Sequence, residues 1–118
     1  MLSSSVNGEV HKMSESYTSV AWFKVKEGRN DDFERGFHDA GMLTRSASLD
    51  GCLDTRLYQS TDGTNQYFVI GHWDSKESYA LWQEMAVPGA PKEALRRMTD
   101  ALEENRLGVL MFPANNVD

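Results

Sequence analysis

The sequence predicts a single α+β domain in which helices cover one face of an antiparallel sheet. Apolar residues alternate with a period of two in four segments, and they recur with a period near 3.6 in the segments between them. Glycine, proline, asparagine and aspartate mark turns at the junctions of these segments. The chain of 118 residues is long enough to bury one hydrophobic core, so one domain is expected.

The first predicted strand runs from Ser16 to Val25, and apolar side chains occupy both of its alternating faces. A strand of this kind is covered on both sides. A helix is then predicted from about Asp31 to about Ala47, with acidic residues in its first turn, where the helix dipole favours them. The residues that recur at helical spacing along it are Phe33, Phe37, Ala40, Gly41 and Thr44.

The middle of the chain predicts two strands joined as a hairpin, from Cys52 to Ser60 and from Gln66 to Trp73. After Trp73 the pattern changes at once to a helix, predicted from about Ser75 to Met85. Asp74 followed by Glu77 fits a capping box at its start. A tryptophan is therefore predicted at a junction of strand and helix, where small-molecule pockets often open.

The last part of the chain predicts one more helix and one more strand. Val87-Pro88-Gly89-Ala90-Pro91 interrupts the helical pattern, which resumes from about Lys92 to Glu104. Leu95, Met98 and Leu102 are in line on this helix, and Arg106 to Phe112 is predicted as the fourth strand. The order β-α-β-β-α-β is that of the split, ferredoxin-like arrangement.

Three regions are predicted along the chain: an N-terminal arm at 1–15, the domain at 16–113 and a polar tail at 114–118. The strand positions that point away from the helices are too apolar to face water, which predicts a homodimer with two sheets packed face to face. These positions are Val20, Trp22, Phe68, Ile70 and several of Leu107, Val109 and Met111.

The net charge and the cysteine content limit which partners and which cellular compartment are expected. The net charge of −6 argues against binding to nucleic acid or to an anionic membrane. Cys52 is the only cysteine, so no internal disulfide is expected and a reducing cytoplasm fits best. No signal peptide and no membrane span are predicted, and no spacing of His, Cys or acidic residues fits a metal site.

Two residues are the main candidates for chemistry. Trp73 is either the wall of a pocket, stacking on a flat substrate, or a core residue that closes the end of the sheet. His38 is either a surface histidine or, if it faces inward, a general base, because imidazole changes charge near neutral pH. His72 alternates with Trp73 and is expected on the opposite face of the sheet. Aromatic residues that either line a cavity or form plain core are Phe23, Phe37, Tyr67, Tyr79 and Trp82.

The chain resembles the antibiotic biosynthesis monooxygenase family over residues 17–112. The most specific part of the resemblance is the passage from strand to helix, which reads Tyr67-Phe68-Val69-Ile70-Gly71-His72-Trp73-Asp74-Ser75-Lys76-Glu77-Ser78-Tyr79 and is followed by Trp82. Tyr17–Val25, Glu27-Gly28, Phe33, Phe37, Gly51 and Leu57 also fit. The resemblance implies a dimeric α/β-barrel. Its members include cofactor-independent oxygenases of polycyclic aromatic phenols and quinols, haem-degrading monooxygenases, isomerases, and proteins of unknown activity.

Two branches of the family can be compared residue by residue. The haem-degrading branch has an asparagine where this chain has Ala21, and an iron-binding histidine after the second helix, where residues 87–94 contain none. The cofactor-free branch often has a polar residue, commonly asparagine, where this chain has Val69.

These comparisons lead to one main prediction and two alternatives. We expect a cofactor-independent monooxygenase that acts on a small aromatic molecule of the phenol or quinol type, with no cofactor and no metal. Trp73 and His38 are the expected catalytic residues. The expected substrate-binding residues are Ala21, Phe23, Phe37, Tyr67, Val69 and Trp82. A non-catalytic binder or stress-associated dimeric accessory protein is the alternative, and a haem-degrading monooxygenase ranks third.

Overall fold

The computed structural model describes residues 16–112, apart from the side chains of 106–108. The predicted arm, the predicted tail and Pro113 lie outside these residues. The elements in chain order are β1 (Tyr17–Val25), α1 (Asn30–Asp39), α2 (Met42–Ala47), β2 (Cys52–Gln59), β3 (Gln66–Trp73), α3 (Lys76–Ala86), α4 (Lys92–Asp100) and β4 (Leu102–Met111).

The four strands form one antiparallel sheet in the order β2-β3-β1-β4. In the register of β1 and β3, Tyr17 lies opposite Trp73, Ala21 opposite Val69 and Phe23 opposite Tyr67. Directly opposite side chains share a face of the sheet, so these pairs lie on the side of the helices. The predicted ferredoxin-like α+β fold is confirmed.

The core lies between this face and helices α1 and α4. Phe33 and Phe37 of α1 pack with Met98 of α4 and with Val25 at the end of β1. Gly36 lets the two helices approach closely, because a Cβ built there would lie 2.5 Å from the backbone nitrogen of Met98. The resulting contact holds α1, and with it His38, at a defined position above the sheet.

The single helix predicted over Asp31–Ala47 is wrong in one respect, because the chain breaks between Asp39 and Met42. Gly41 adopts φ +69°, a left-handed conformation that favours glycine. The backbone N–H of Gly41 donates to the carbonyl of His38 at 2.9 Å, which closes α1. The break turns α2 towards β2, and the hollow described below opens between them.

The boundary between the last helix and the last strand was also predicted wrongly. Helix α4 ends at Asp100, and β4 begins at Leu102, four residues before the predicted start at Arg106. Leu102 pairs with Val25 and packs against the core from the strand. The polar run Glu103-Glu104-Asn105 belongs to this strand because β4 is an edge of the sheet, where one side of the ladder meets solvent.

The face of the sheet away from the helices is apolar, as the sequence predicts. Val20, Trp22, Phe68 and Ile70 are half-buried at its centre. Around them, Tyr58, Val109 and Met111 are exposed, with Val109 at 59% of its maximal surface. The side chain of Leu107 lies outside the described part of the chain. We call this surface, formed by Val20, Trp22, Tyr58, Phe68, Ile70, Val109 and Met111, the open face.

Candidate active site

Trp73 ends β3 as a fully buried residue, with 1% of its surface exposed. Its indole Nε1–H donates to the hydroxyl of Ser19 at 3.0 Å. The ring packs at 58° on Tyr79, with 5.4 Å between the ring centroids. The indole N–H is therefore already hydrogen-bonded within the protein, and the contacts with Ser19 and Tyr79 fix the orientation of the ring.

Gly71 makes this position of Trp73 possible. A Cβ on Gly71 would lie 2.8 Å from the indole nitrogen and 3.0 Å from both the Ser19 hydroxyl oxygen and the Thr55 methyl carbon. The indole nitrogen of Trp73, the Ser19 hydroxyl and the Thr55 methyl group therefore occupy the space that a side chain at position 71 would fill. Thr55 also lines a cavity described below, so Trp73 lies directly behind one wall of that cavity.

The helix start after Trp73 lies one residue later than the capping box predicted at Asp74 and Glu77. Ser75 is the N-cap, and its hydroxyl accepts the backbone N–H of Ser78 at 3.1 Å. Asp74 instead accepts the Ser78 hydroxyl at 2.7 Å and donates its own backbone N–H to the carbonyl of Gly51. The extended backbone of Ser75 suits a cap, and these bonds tie the junction to the turn before β2.

Two adjoining cavities lie between helices α1 and α2 and the edge strand β2. The smaller, about 110 Å³, is lined by Glu34, Phe37, His38, Leu43, Thr44 and Leu57. The larger, about 340 Å³, is lined by Leu43, Thr44, Ala47, Cys52, Leu53, Asp54 and Thr55. They meet at Leu43 and Thr44, and we call the two together the cleft. The larger cavity has the volume expected of a site for a small molecule.

The structure brings two of the predicted site residues together in the cleft. Phe37 is nearly fully buried and contributes an apolar wall, while His38, the next residue of α1, is exposed at the opening. Leu57 completes this wall from β2, where it pairs with Val69 of β3. This cavity of about 110 Å³ is smaller than a typical ligand site, so a flat ring would extend into the larger cavity, with the imidazole at the opening available as a proton acceptor.

Four other predicted binding residues lie in or beside the core. Phe23 contacts the rings of Phe33 at 5.4 Å and Phe37 at 6.5 Å. Ala21 and Val69 are partners in the register of β1 and β3, and Val69 packs against the core. Trp82 packs against the core from α3, whereas Ala21, Phe23 and Val69 belong to the sheet beneath the helices.

Trp82 also carries Arg45 on its ring. The guanidinium carbon of Arg45 lies 5.3 Å from the centroid of the Trp82 ring. Arg45 donates to the carbonyls of Ala40 at 3.0 Å, Ala86 at 3.1 Å and Met85 at 2.6 Å. A cation at these helix ends complements the negative end of the helix dipole, so Arg45 ties α1, α2 and α3 together.

Tyr67, the remaining predicted binding residue, is buried beneath α1 with its ring 4.7 Å from that of Phe33. Its hydroxyl donates to Glu34 Oε2 and accepts from Asn30 Nδ2 at 2.9 Å. Burial, together with the hydrogen bond to Glu34, raises the pKa of the Tyr67 phenol to about 12. The phenol therefore stays protonated and holds the carboxylate of Glu34.

Two further ionisable groups bear on the chemistry. Burial raises the pKa of the Cys52 thiol above its usual value, which disfavours the reactive thiolate. His72 lies opposite Asp54 in the register and is exposed on the other side of the sheet. Within residues 16–112, no group of three His, Cys, Asp or Glu side chains is arranged to hold a metal ion.

Sequence reasoning missed Glu34, Leu43, Thr44 and Leu57 as lining residues. Glu34 had a usable signal, since it precedes His38 by four residues and so shares its helix face. Thr44 recurred at helical spacing with Phe37 but was not chosen, whereas Leu43 had no signal, because its position depends on the break at Gly41.

The family model described as "Antibiotic biosynthesis monooxygenase" matches residues 16–87. No curated protein matches the chain significantly.

Solved structures match over most of the chain. A conserved protein from Methanosarcina mazei Go1 has 15% identity and a TM-score of 0.72, covering 89% of this chain and 99% of its own. A proposed antibiotic biosynthesis monooxygenase from Nitrosomonas europaea has 16% identity and a TM-score of 0.69, covering 89% and 96%. A dimeric ferredoxin-like protein from an uncultured marine organism has 10% identity and a TM-score of 0.68, covering 87% and 91%. At these identities the likeness shows the fold.

Among the residues that the structure describes, no helix has both the length and the apolar character needed to cross a bilayer.

Proposed function

Because this chain belongs to the antibiotic biosynthesis monooxygenase family, we propose that it is a cofactor-independent monooxygenase of small phenol- or quinol-type aromatics. The observation that carries the proposal is the pairing of Phe37 and His38 in one cavity. The apolar wall suits an aromatic ring, and the imidazole at the opening suits a phenolic hydroxyl.

The proposed reaction draws all its electrons from the substrate. His38 removes the hydroxyl proton, and the electron-rich phenolate gives one electron to O2. The two radicals combine to form a C–O bond at the ring carbon para to the hydroxyl. Loss of the proton from that carbon and cleavage of the O–O bond then leave a quinone, and the other oxygen takes up protons to depart as water. The apolar cleft contributes orientation and removal of solvent.

His38→Gln tests this assignment. With a panel of hydroxynaphthalenes in air and no added cofactor, the wild type is expected to consume one O2 per quinone formed. His38→Gln is expected to lower kcat by about 10²-fold or more, since a positioned general base contributes about that much. The measurement is oxygen uptake together with quinone absorbance.

Arg35→Gln is the control, because Arg35 is exposed on the same helix and lines neither cavity of the cleft. Its rate is expected to equal that of the wild type. Absence of oxygen uptake by the wild type across the panel would sink the monooxygenase proposal, and equal rates for His38→Gln and Arg35→Gln would remove His38 from it.

The proposal includes a homodimer formed through the open face. Its exposed Val109 and Met111 beside half-buried Val20, Trp22, Phe68 and Ile70 form an apolar surface of the kind that monomers rarely leave in water. The structurally similar marine protein is described as dimeric. A second copy of the same sheet supplies a self-complementary apolar partner.

Val109→Glu is expected to shift this dimer to monomer, because it places a charge in the apolar contact. The measurement is sedimentation equilibrium at micromolar concentration. Val87→Glu is the control, since Val87 is exposed to almost the same extent, 57% against 59%, but follows α3 on the other side of the sheet. A monomeric wild type would contradict the proposal, as would dissociation caused equally by both variants.

One observation favours a second candidate function, a non-catalytic small-molecule binder. Among the described residues, no buried side-chain nitrogen or oxygen lacks a hydrogen-bond partner, and the Trp73 donor is already bonded to Ser19. The oxygen assay separates the two functions, because a binder would hold an aromatic ligand in the cleft without consuming O2.

A further inference from the structure

Glu34 shares the smaller cavity of the cleft with His38. The two residues are four apart on α1 and therefore lie on one face of the helix. Phe37 and Leu57 contribute apolar walls to the same cavity. A carboxylate and an imidazole thus face the same apolar hollow, which gives it two separate polar contact points.

A chain of hydrogen bonds holds the Glu34 carboxylate in one orientation. The two hydrogens of Asn30 Nδ2 are donated to Asn65 Oδ1 at 2.8 Å and to the Tyr67 hydroxyl at 2.9 Å. Since that hydroxyl accepts from Asn30, its own hydrogen is free to be donated to Glu34 Oε2. The direction of donation therefore runs from Asn30 through Tyr67 to the carboxylate.

The far end of this chain is anchored to the backbone. Asn65 Nδ2 donates to the carbonyls of Val25 at 3.0 Å and Lys26 at 3.2 Å. Asn65 also adopts φ +61°, a left-handed conformation that is uncommon outside glycine and that asparagine tolerates best. The end of β1 and the β2–β3 turn thus fix Asn30 and Tyr67, and through them Glu34.

One oxygen of Glu34 is left for a ligand. Tyr67 occupies Oε2, and among the side chains that the structure describes, which exclude those of 106–108, no donor bonds Oε1. An ionised carboxylate accepts hydrogen bonds that are about twice as strong as those of neutral acceptors. Glu34 is exposed at the edge of the cavity, so its charge repels a negatively charged ligand that comes into contact with it, while water screens the repulsion at longer distances.

We propose that Glu34 is a specificity-determining residue that selects dihydroxyaromatic substrates, with one hydroxyl donated to Glu34 and the other facing His38. The inference rests on the proposed function of the cleft. Aromatic carboxylates are rejected by the charge of Glu34, and Asn65, Asn30 and Tyr67 are positioning residues for its carboxylate.

Binding without turnover tests this selection. Isothermal titration under argon uses three probes: 1,5-dihydroxynaphthalene, in which the carbon para to each hydroxyl carries a hydrogen as the proposed reaction requires, 1-naphthol and 1-hydroxy-2-naphthoate. The wild type is expected to bind the diol about tenfold more tightly than the naphthol, which corresponds to one charge-assisted hydrogen bond. Glu34→Gln is expected to reduce this preference to about threefold or less and, because Glu34 is exposed, to tighten naphthoate binding by about threefold.

Tyr67→Phe separates positioning from charge. It leaves the carboxylate in place but removes its anchor, so the diol preference is expected to fall while naphthoate is still rejected. Glu84→Gln is the control for Glu34→Gln, because Glu84 is exposed on α3, away from the cleft. It changes the net charge by the same amount and is expected to bind the three probes as the wild type does. A merely structural role of Tyr67 would weaken the binding of all three probes together.

The outcomes separate this inference from the proposed function. Equal binding of diol and naphthol by the wild type, or an unchanged preference in Glu34→Gln, overturns the selection by Glu34 while oxygen uptake still supports the monooxygenase. The expected preferences without oxygen uptake support the selection and overturn the monooxygenase. Failure of the wild type to bind any probe overturns both.

Discussion

Trp73→Ala is expected to lower the free energy of unfolding by about 3–5 kcal/mol, the range for removing a large buried aromatic side chain. The ring is 1% exposed and contacts Tyr79, and its N–H is bonded to Ser19. The substitution removes the packing and leaves the Ser19 hydroxyl without this donor. Urea unfolding followed by far-UV circular dichroism measures the loss, without relying on tryptophan fluorescence.

Trp73→Phe is the matched variant for this position. It keeps an aromatic ring beside Tyr79 and removes the N–H donor, so a loss of about 1–2 kcal/mol is expected. A loss below about 1 kcal/mol for Trp73→Ala would show that the ring is not buried in solution.

The same phenylalanine variant tests the catalytic assignment of Trp73, which stays a prediction. The indole lies behind Thr55, which lines the larger cavity. If Trp73 acts only by supporting this wall, Trp73→Phe retains oxygen uptake close to the wild-type rate. A fall in kcat, measured at a temperature where the variant is fully folded, would instead show that the indole contacts the reacting substrate.

Gly36→Ala is expected to destabilise the protein by about 3 kcal/mol or more, although helix propensity alone predicts a gain of about 1 kcal/mol. The new Cβ would lie 2.5 Å from the backbone nitrogen of Met98 and 2.8 Å from its Cα. No side-chain rotation relieves a clash with backbone, so α1 and α4 must separate. The measurement is the unfolding midpoint in urea and the melting temperature.

Arg35→Ala is the control for Gly36→Ala, since it places the same residue at the neighbouring, exposed position of α1. It is expected to change stability by no more than about 0.5 kcal/mol. A stability gain in Gly36→Ala would mean that α1 and α4 do not approach as closely as the structure shows.

Local patterns in the sequence were sufficient for the order of the strands and, to within one residue, for the bounds of the first three. They did not predict the break in the first helix or the start of β4. The third strand was predicted at Gln66 to Trp73 and has these ends in the structure. The period-two alternation of a strand can be recognised from neighbouring residues alone. The same alternation predicted which residues occupy the open face. The positions of Trp73 and His72 on opposite faces follow from the same rule.

The cleft could be predicted only in part. Phe37 was chosen for its aromatic ring and His38 for its imidazole, and the two lie in one cavity. The cavity itself depends on the break at Gly41, which turns α2 towards β2, and glycine is compatible with both a helix and a left-handed turn. In the folded protein, the packing of α2 against β2 favours the left-handed turn at Gly41 over a continuous helix.

The sequence by itself determined the α+β fold, the apolar open face and a tryptophan at the end of β3, because these follow from the spacing of neighbouring residues. Only the tertiary structure decided that Trp73 is buried against Ser19, 54 positions away, and that Tyr67 holds Glu34, 33 positions away. Contacts between residues so distant along the chain arise when helices and strands pack, and no local period encodes them.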